Sequence, residues 1–462
     1  MKFALRRAFL SVKMEFTAIV SKRKQKGGAI RMRSVGIIAE YNPLHTGHKY
    51  HIQKARRMAN ADYTVVVMSP DFVQRGTPAI FDKYTRTRMA LLAGADLVLE
   101  LPICYATGSA EYFARGAIGM LDALGCVDTV CFGSETADGN LLSQLADILV
   151  LEPPVYQDVL RREQKAGKTF PQARATALAA VLADRDNEFL RQLSMPNNIL
   201  ALEYCKALQQ LSSSILPLPI LRQGNGYHDE ALSDTFCSAT ALREALLQGQ
   251  GPEEIQMKQR NLTSLLSYIP ETCHPLFLKA ARAPVTADDF LPLLIDKLLT
   301  ISDFSGYFDI SPELSDRIRK LRFSCIGKSF AEITALLKTR QLTEARIRRA
   351  LLHLTLDLQQ SSLSCFWVNG TVFYARLLGF KKNAGPLLHA IRHSASIPLL
   401  AKPSTAETIL KNFYSEQPDR LSCALEMLRM DFLASHRYEG VSSYKYNREF
   451  VPEFKKSPII IE

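Results

Sequence analysis

At 462 residues, with 47% hydrophobic and 22% charged side chains, the chain is too long for one core and too apolar for a disordered polymer, so two or three domains are expected. No apolar run approaches the roughly 20 residues of a membrane-spanning helix, and nine scattered cysteines without a C-x-x-C pair suit a reduced cytoplasmic protein rather than a disulfide or zinc framework. The formal charge of +11 is concentrated: residues 1–31 carry nine Lys/Arg against Glu15, which leaves about +3 for residues 32–462, so global basicity says little about nucleic acid.

Residues 1–31 fail as a secretion signal, because Lys13 and Glu15 interrupt the apolar stretch and no small-residue cleavage site follows. A transit peptide is compatible with this composition; the favoured reading is a disordered basic leader ahead of a native start at Met32. From Ser34, short apolar runs alternate with helix-period segments. Ser34–Tyr41, Asp62–Ser69, Asp96–Leu101 and Val127–Gly133 read as strands buried on both faces. Between them, His45–Asn60, Asp82–Gly94 and Ser109–Gly125 repeat apolar residues at three and four. Strand, helix, strand at this spacing predicts βαβ units, hence an α/β fold with a Rossmann-like parallel sheet. From about Gly139 the chain reads as helical, then as a strand over Ile215–Leu221, followed by the turn Gly224-Asn225-Gly226. The expected organisation is one α/β domain over 32–229 and a mainly α-helical region over 230–462, with long helical stretches such as Pro312–Phe323 and Phe330–Gln359.

Ligands of open parallel sheets sit beyond strand carboxyl ends, next to the following helix. Asn42-Pro43-Leu44-His45-Thr46-Gly47-His48 falls at that point, and His45, His48 and His51 lie within seven residues. A helix N-terminus offers N–H groups and a favourable dipole to phosphate, and Gly47 removes a side chain where a triphosphate must approach. His45 and His48, three apart, share a helical face and can donate to charge that develops during transfer. A zinc site on His48 and His51 lacks a nearby third ligand and has poor helical spacing, so no metal ligation by side chains is expected. No Walker A, G-x-G-x-x-G or K-M-S-K-S segment occurs, which argues against a P-loop ATPase, a dinucleotide dehydrogenase and an ordinary class I synthetase.

The four-residue pattern His45-Thr46-Gly47-His48 resembles the H-x-G-H signature of the nucleotidyltransferase superfamily. The longer string from Val35 to His48 is far more specific and resembles the opening of the bacterial tRNA(Met) cytidine acetate ligase family. Further similar stretches are Phe72-Val73-Gln74-Arg75-Gly76-Thr77-Pro78-Ala79, Leu99-Glu100-Leu101-Pro102, Ser109-Ala110-Glu111, Phe132-Gly133-Ser134-Glu135, Pro196-Asn197-Asn198-Ile199-Leu200 and Gly226-Tyr227-His228-Asp229. The resemblance is strong over about Val35 to Asp229 and scattered beyond. It departs at Ser69-Pro70-Asp71, where a Ser-Gly-Asn type turn is usual, and proline removes an N–H that could meet phosphate.

The resemblance implies activation of acetate by ATP, with Mg²⁺, as acetyl-adenylate, then acetylation of the wobble cytidine of elongator tRNA(Met) to N4-acetylcytidine in the cytoplasm. It implies that Ile38-Ala39-Glu40-Tyr41-Asn42-Pro43-Leu44-His45-Thr46-Gly47-His48-Lys49-Tyr50-His51 cradles ATP. His45 and His48 are then catalytic, and Gly133, Asn197, Asn198 and Arg222 complete the nucleotide site. One of the two asparagines is expected to cap the following helix. Glu40, Gln74 and Arg75 are further candidates for the pocket lining. Between Arg317 and Arg349, ten Lys/Arg stand against Glu332 and Glu344, so Arg346, Arg348 and Arg349 are expected to meet RNA phosphates. The alternatives are a small-molecule adenylyltransferase of cofactor synthesis, and a nucleotide-dependent RNA-binding protein without catalysis.

Overall fold

The computed structural model describes residues 32–136, 138–182, 192–221, 238–247 and 262–462. The leader 1–31, Arg222 and the stretch from Gly224 to Asp229 lie outside the described residues. In chain order the strands are β1 (Ser34–Ala39), β2 (Tyr63–Met68), β3 (Phe72–Val73), β4 (Thr77–Pro78), β5 (Leu97–Glu100), β6 (Thr129–Ser134), β7 (Leu216–Leu221), β8 (Ala375–Lys381), β9 (Leu399–Leu400) and β10 (Ile459–Ile461).

β5, β2, β1, β6 and β7 lie side by side in that order, all parallel, so the expected α/β class with a mainly parallel sheet holds. The strand order reverses between β1 and β6. A sheet of this kind opens its crevice there, at the carboxyl ends of those two strands. Alternation along β1 explains how both faces are covered. Val35 and Ile37 pack in one core with Ile52 and Ala55 of the helix Thr46–Met58. Gly36 faces the other way, and a Cβ there would lie 2.7 Å from Leu121 Cδ1, so the helix Ala110–Ala123 seats directly on the strand backbone.

The region after residue 230, read as mainly helical, also extends the sheet. β8 joins β5 antiparallel, and β9 and β10 pair parallel with β8. The expected division at residues 229 and 230 therefore does not divide the sheet, and Arg33–Glu462 forms one compact unit. The helices of this region build their own core around Leu294, Leu298, Ile318, Ile333 and Leu351.

Two buried polar features tie the C-terminal region to the sheet. In the first, Lys83 Nζ lies 2.7 Å from Glu100 Oε1 and 2.8 Å from Glu453 Oε1. Arg376 Nη1 lies 2.9 Å from Glu100 Oε2, and Nη2 pairs with Glu453. These four side chains are at most 3% exposed. They join β5, β8, the helix Lys83–Leu92 and the segment that follows the long helix Pro418–Tyr446.

The second is His353 on the helix Glu344–Leu356, with Nδ1 3.0 Å from Phe308 O and Nε2 3.0 Å from Thr107 O. Burial pushes its pKa down to about 4, outweighing the nearby Asp309. The unfolded chain titrates near the ordinary value of about 6.5 and takes up a proton that the folded chain refuses. Stability present above that pH is thus lost as pH falls toward 4, by up to about 3 kcal/mol. Denaturant unfolding at pH 7 and pH 4.5 measures this. His353→Asn should shed that part of the pH dependence, and an unchanged slope would assign acid sensitivity to other groups.

Candidate active site

β1 ends because Tyr41 takes a left-handed φ of 50°, rare for an aromatic residue, and turns the chain out of the strand two residues before the predicted end of the run. Arg86, fully buried on the helix Lys83–Leu92, fixes this turn. Its Nη1 donates to Glu40 O at 2.7 Å and Ser69 O at 2.9 Å, Nε donates to Phe81 O at 2.9 Å, and Nη2 donates to Pro70 O. Both loops that leave β1 and β2 are thereby held by one guanidinium, which accounts for the Pro70 carbonyl where the phosphate-binding turn was in question. Asn42 is also a brace: its Oδ1 accepts from Ile80 N at 2.8 Å and its carbonyl from Arg243 Nη1 at 2.7 Å.

His45 is the N-cap of the helix Thr46–Met58 and His48 is the third residue in, where Glu or Gln usually completes a capping box. Here both members are histidines. His45 Nδ1 accepts from Gly47 N at 3.1 Å, and His48 Nδ1 accepts from His45 N at 3.3 Å. An imidazole nitrogen that accepts from a backbone N–H carries no proton, so both contacts fit the tautomer with the proton on Nε2. The rings lie tilted by 31° with centroids 3.8 Å apart, and Tyr41 meets His48 edge-on at 5.0 Å. The amides of His45 and Gly47, expected to face phosphate, are instead turned onto the histidines.

A cavity of about 200 Å³ opens at this junction. Of the predicted residues, Ile38, Ala39, Glu40, Tyr41, Asn42, His48, His51, Gln74 and Arg75 line it. His51 Nε2 lies 3.4 Å from Cys131 Sγ on β6, so the first helix reaches across to the neighbouring strand. Ile37 pairs with Cys131, and carrying that register two residues on sets Gly133 level with Ala39. Leu44 is instead a core residue at 0% exposure. Pro43, Thr46, Gly47, Lys49 and Tyr50 belong to the turn and first helix but not to the lining, and His45 lies outside it with its ring against His48.

Asn197 and Asn198 sit behind the site rather than in its lining. The helix Pro196–Gln210 has Met195 as its N-cap, without a side-chain cap, and Glu135 supplies the acceptor that was expected from an asparagine. Glu135 Oε2 accepts from Asn198 N at 2.9 Å and Oε1 from Asn197 Nδ2 at 2.6 Å. Asn198 Oδ1 accepts from Ser134 Oγ at 2.6 Å and Glu135 N at 2.9 Å. The pair thus fixes the carboxyl end of β6.

Phe113, Leu200, Tyr204, Ala239 and Arg243 also line the cavity and were not anticipated. Leu200 and Tyr204 are four apart on one helix, a spacing that marks a shared face, whereas nothing around Arg243 in the sequence sets it apart from a solvated arginine.

Gln74 and Arg75 come from the turn between β3 and β4, which pair antiparallel. Gln74 N donates to Glu40 Oε1 at 2.9 Å. Gly76 closes the turn with φ +76°, and a Cβ there would lie 2.4 Å from Arg348 C and Arg349 N. No side chain fits between this turn and the helix Glu344–Leu356. Gly76→Ala should therefore shift the cavity rim and lower kcat/KM on the order of 10- to 100-fold, as a displacement of about 1 Å at a positioned group does. Steady-state kinetics at the wild-type value would show that the turn's position is immaterial.

A five-stranded parallel core, a crevice at the β1/β6 switch and a histidine-capped helix facing it define a nucleotidyltransferase of the H-x-G-H type. Accordingly, a family model described as HIGH Nucleotidyl Transferase matches residues 32–451. The chain is 38% identical over 384 residues to the tRNA(Met) cytidine acetate ligase of Thermoanaerobacter sp. (strain X514), covering 82% of this chain and 91% of that one. It is 35% identical over 437 residues to the ligase of that name from Clostridium kluyveri, covering 93% and 100%. The crystal structure of Thermotoga maritima TmcAL bound with alpha-thio ATP superposes with a TM-score of 0.82 at 30% identity, over 93% of this chain and all of that one. The chain belongs to the tRNA(Met) cytidine acetate ligase family.

Proposed function

We propose that this chain activates acetate with ATP and acetylates the wobble cytidine of elongator tRNA(Met). The observation that carries the reading is the double-histidine capping box at the mouth of the cavity. An acetate oxygen attacks the α-phosphorus, the bond to pyrophosphate breaks, and acetyl-adenylate forms. The cytidine N4 amine then attacks the acetyl carbonyl carbon, the bond to AMP breaks, and N4 loses a proton. Neither half-reaction requires a protein nucleophile. Each requires charge stabilisation at phosphate oxygens. Neutral imidazoles with the proton on Nε2 donate there without giving the proton up, and Arg75 and Arg243 add positive charge to the same lining.

Glu40 is the carboxylate of the lining among the described residues, and its Oε1 already accepts the Gln74 N–H. Any Mg²⁺ would therefore take its hard oxygen ligands from the triphosphate and water, and no step above is routed through it. Among the described residues no helix is long and apolar enough to cross a membrane, and a tRNA substrate supports a cytoplasmic reaction. Acetate-dependent exchange of labelled pyrophosphate into ATP tests the first half-reaction. Exchange without acetate, or none with it, would overturn the reading.

For the RNA, the helix Glu344–Leu356 is the candidate platform, because its backbone touches Gly76, next to the cavity-lining Arg75. Its arginines are partly engaged within the chain: Arg349 lies 2.8 Å and Arg346 3.7 Å from Asp309, and Arg348 pairs with Glu344. Replacing Arg346, Arg348 and Arg349 by Gln should weaken tRNA binding and lower its salt slope by about one unit per lost phosphate contact. Acetate-dependent exchange should persist. Unchanged tRNA affinity would move the platform to the surface around Lys381, Lys382 and Arg392.

A further inference from the structure

Outside the ATP cavity, the helix Gln360–Asn369 carries Cys365 and the long helix Pro418–Tyr446 carries Cys423, and their sulfurs face each other at 2.9 Å. We infer that this pair is a thiol modification site, which a low-molecular-weight disulfide converts reversibly into an intramolecular Cys365–Cys423 disulfide. The sulfurs need to approach by less than about 1 Å to reach the bonded separation. Asn369 Nδ2 lies 3.4 Å from Cys365 Sγ and 3.7 Å from Cys423 Sγ, so one amide can donate to negative charge on either sulfur during exchange.

The two cysteines differ in the way that stepwise exchange requires. Cys365 is exposed, whereas Cys423 is buried. Burial and the contact with Cys365 push the Cys423 thiol up to about 12, so it is not the first nucleophile, and its sulfur, 2.9 Å from Cys365 Sγ, is placed for the second, intramolecular step. The other described cysteines are buried, apart from the half-buried Cys126, and offer an incoming disulfide no comparable access. The Cys365 thiolate attacks the small disulfide, forming a mixed disulfide and releasing one small thiolate. The Cys423 thiol, as it loses its proton, attacks Cys365 Sγ and displaces the second small thiol. Two protein thiols are oxidised and one small disulfide is reduced.

The bond would join two helices that both brace the catalytic fold. Trp367 lies under Arg115 at 3.5 Å. On the long helix, Asp431 accepts from Ile103 N at 2.7 Å and Tyr438 donates to Ala79 O at 2.8 Å.

The full chain, incubated in oxidised glutathione and alkylated, should yield by nonreducing peptide mapping a Cys365–Cys423 cross-link that dithiothreitol reverses. Cys423→Ser should stop at a glutathione adduct on Cys365, and Cys365→Ser should give neither product. A wild-type protein that halts at the Cys365 adduct, or that cross-links Cys365 to a different cysteine, would overturn the assignment.

Discussion

Replacing His48 by asparagine is expected to lower acetate-dependent AMP formation by about tenfold or more, the loss of one transition-state donor costing up to about 10²- to 10³-fold. The folded state should be left nearly intact. The reasoning rests on the two jobs of that ring. Its Nδ1 accepts the His45 N–H at 3.3 Å and closes the capping box, and in the proposed mechanism its Nε2 donates to phosphate. An asparagine Oδ1 reaches the position of Nδ1 but not that of Nε2, so it keeps the cap and deletes the outward donor. His48→Ala deletes both and should add a loss of stability of about 1 kcal/mol, as lost caps do. Glutamine, longer by one carbon and a usual third residue of a capping box, should fall between the wild type and asparagine in rate. If the asparagine and alanine variants lose ATP affinity and rate in equal measure, His48 positions ATP rather than stabilising the transition state.

Arg376→Met should destabilise the chain by about 3–5 kcal/mol, because removing one partner of a buried ion cluster leaves uncompensated charge in the core. In the intact network Lys83 and Arg376 together face Glu100 and Glu453, with Tyr84 donating to Glu453 Oε1 at 2.7 Å. Burial raises the Glu453 pKa, but the Coulombic pull of Lys83 and Arg376 is larger in sum and holds it well below the carboxylate range. Without Arg376, Glu100, Glu453 and, at 3.9 Å, Asp71 share one lysine. Adding Glu453→Gln to Arg376→Met removes the surplus negative charge and should recover part of the loss. Denaturant midpoints of the single and double variants measure both effects, and an Arg376→Met midpoint equal to the wild type would show the network to be inert.

The parallel core and the site's first wall were legible because buried strands are continuous apolar runs and the H-x-G-H string follows the first of them. The capping geometry was hidden, since histidine is an unusual capping-box partner and the pattern alone does not say which ring nitrogen faces the backbone. β8 to β10 were missed for a different reason: Ala375–Lys381 lies among helical segments, and its place in the sheet depends on β5, nearly 280 residues earlier. Residues such as Arg86 and Arg243 act through carbonyls of distant loops, contacts that leave no local pattern. Asn197 and Asn198 stood out in sequence, yet the cap at their helix comes from Glu135, some 60 residues away.

The direct test of an acetate ligase acting on tRNA is to incubate the protein with ATP, labelled acetate and separated tRNA pools, then digest the RNA to nucleosides. The expected result is ATP-dependent label in N4-acetylcytidine from the wobble position of elongator tRNA(Met), reduced in parallel with AMP formation by His48→Asn. Label in no nucleoside, with adenylate transferred to a small molecule instead, would contradict it.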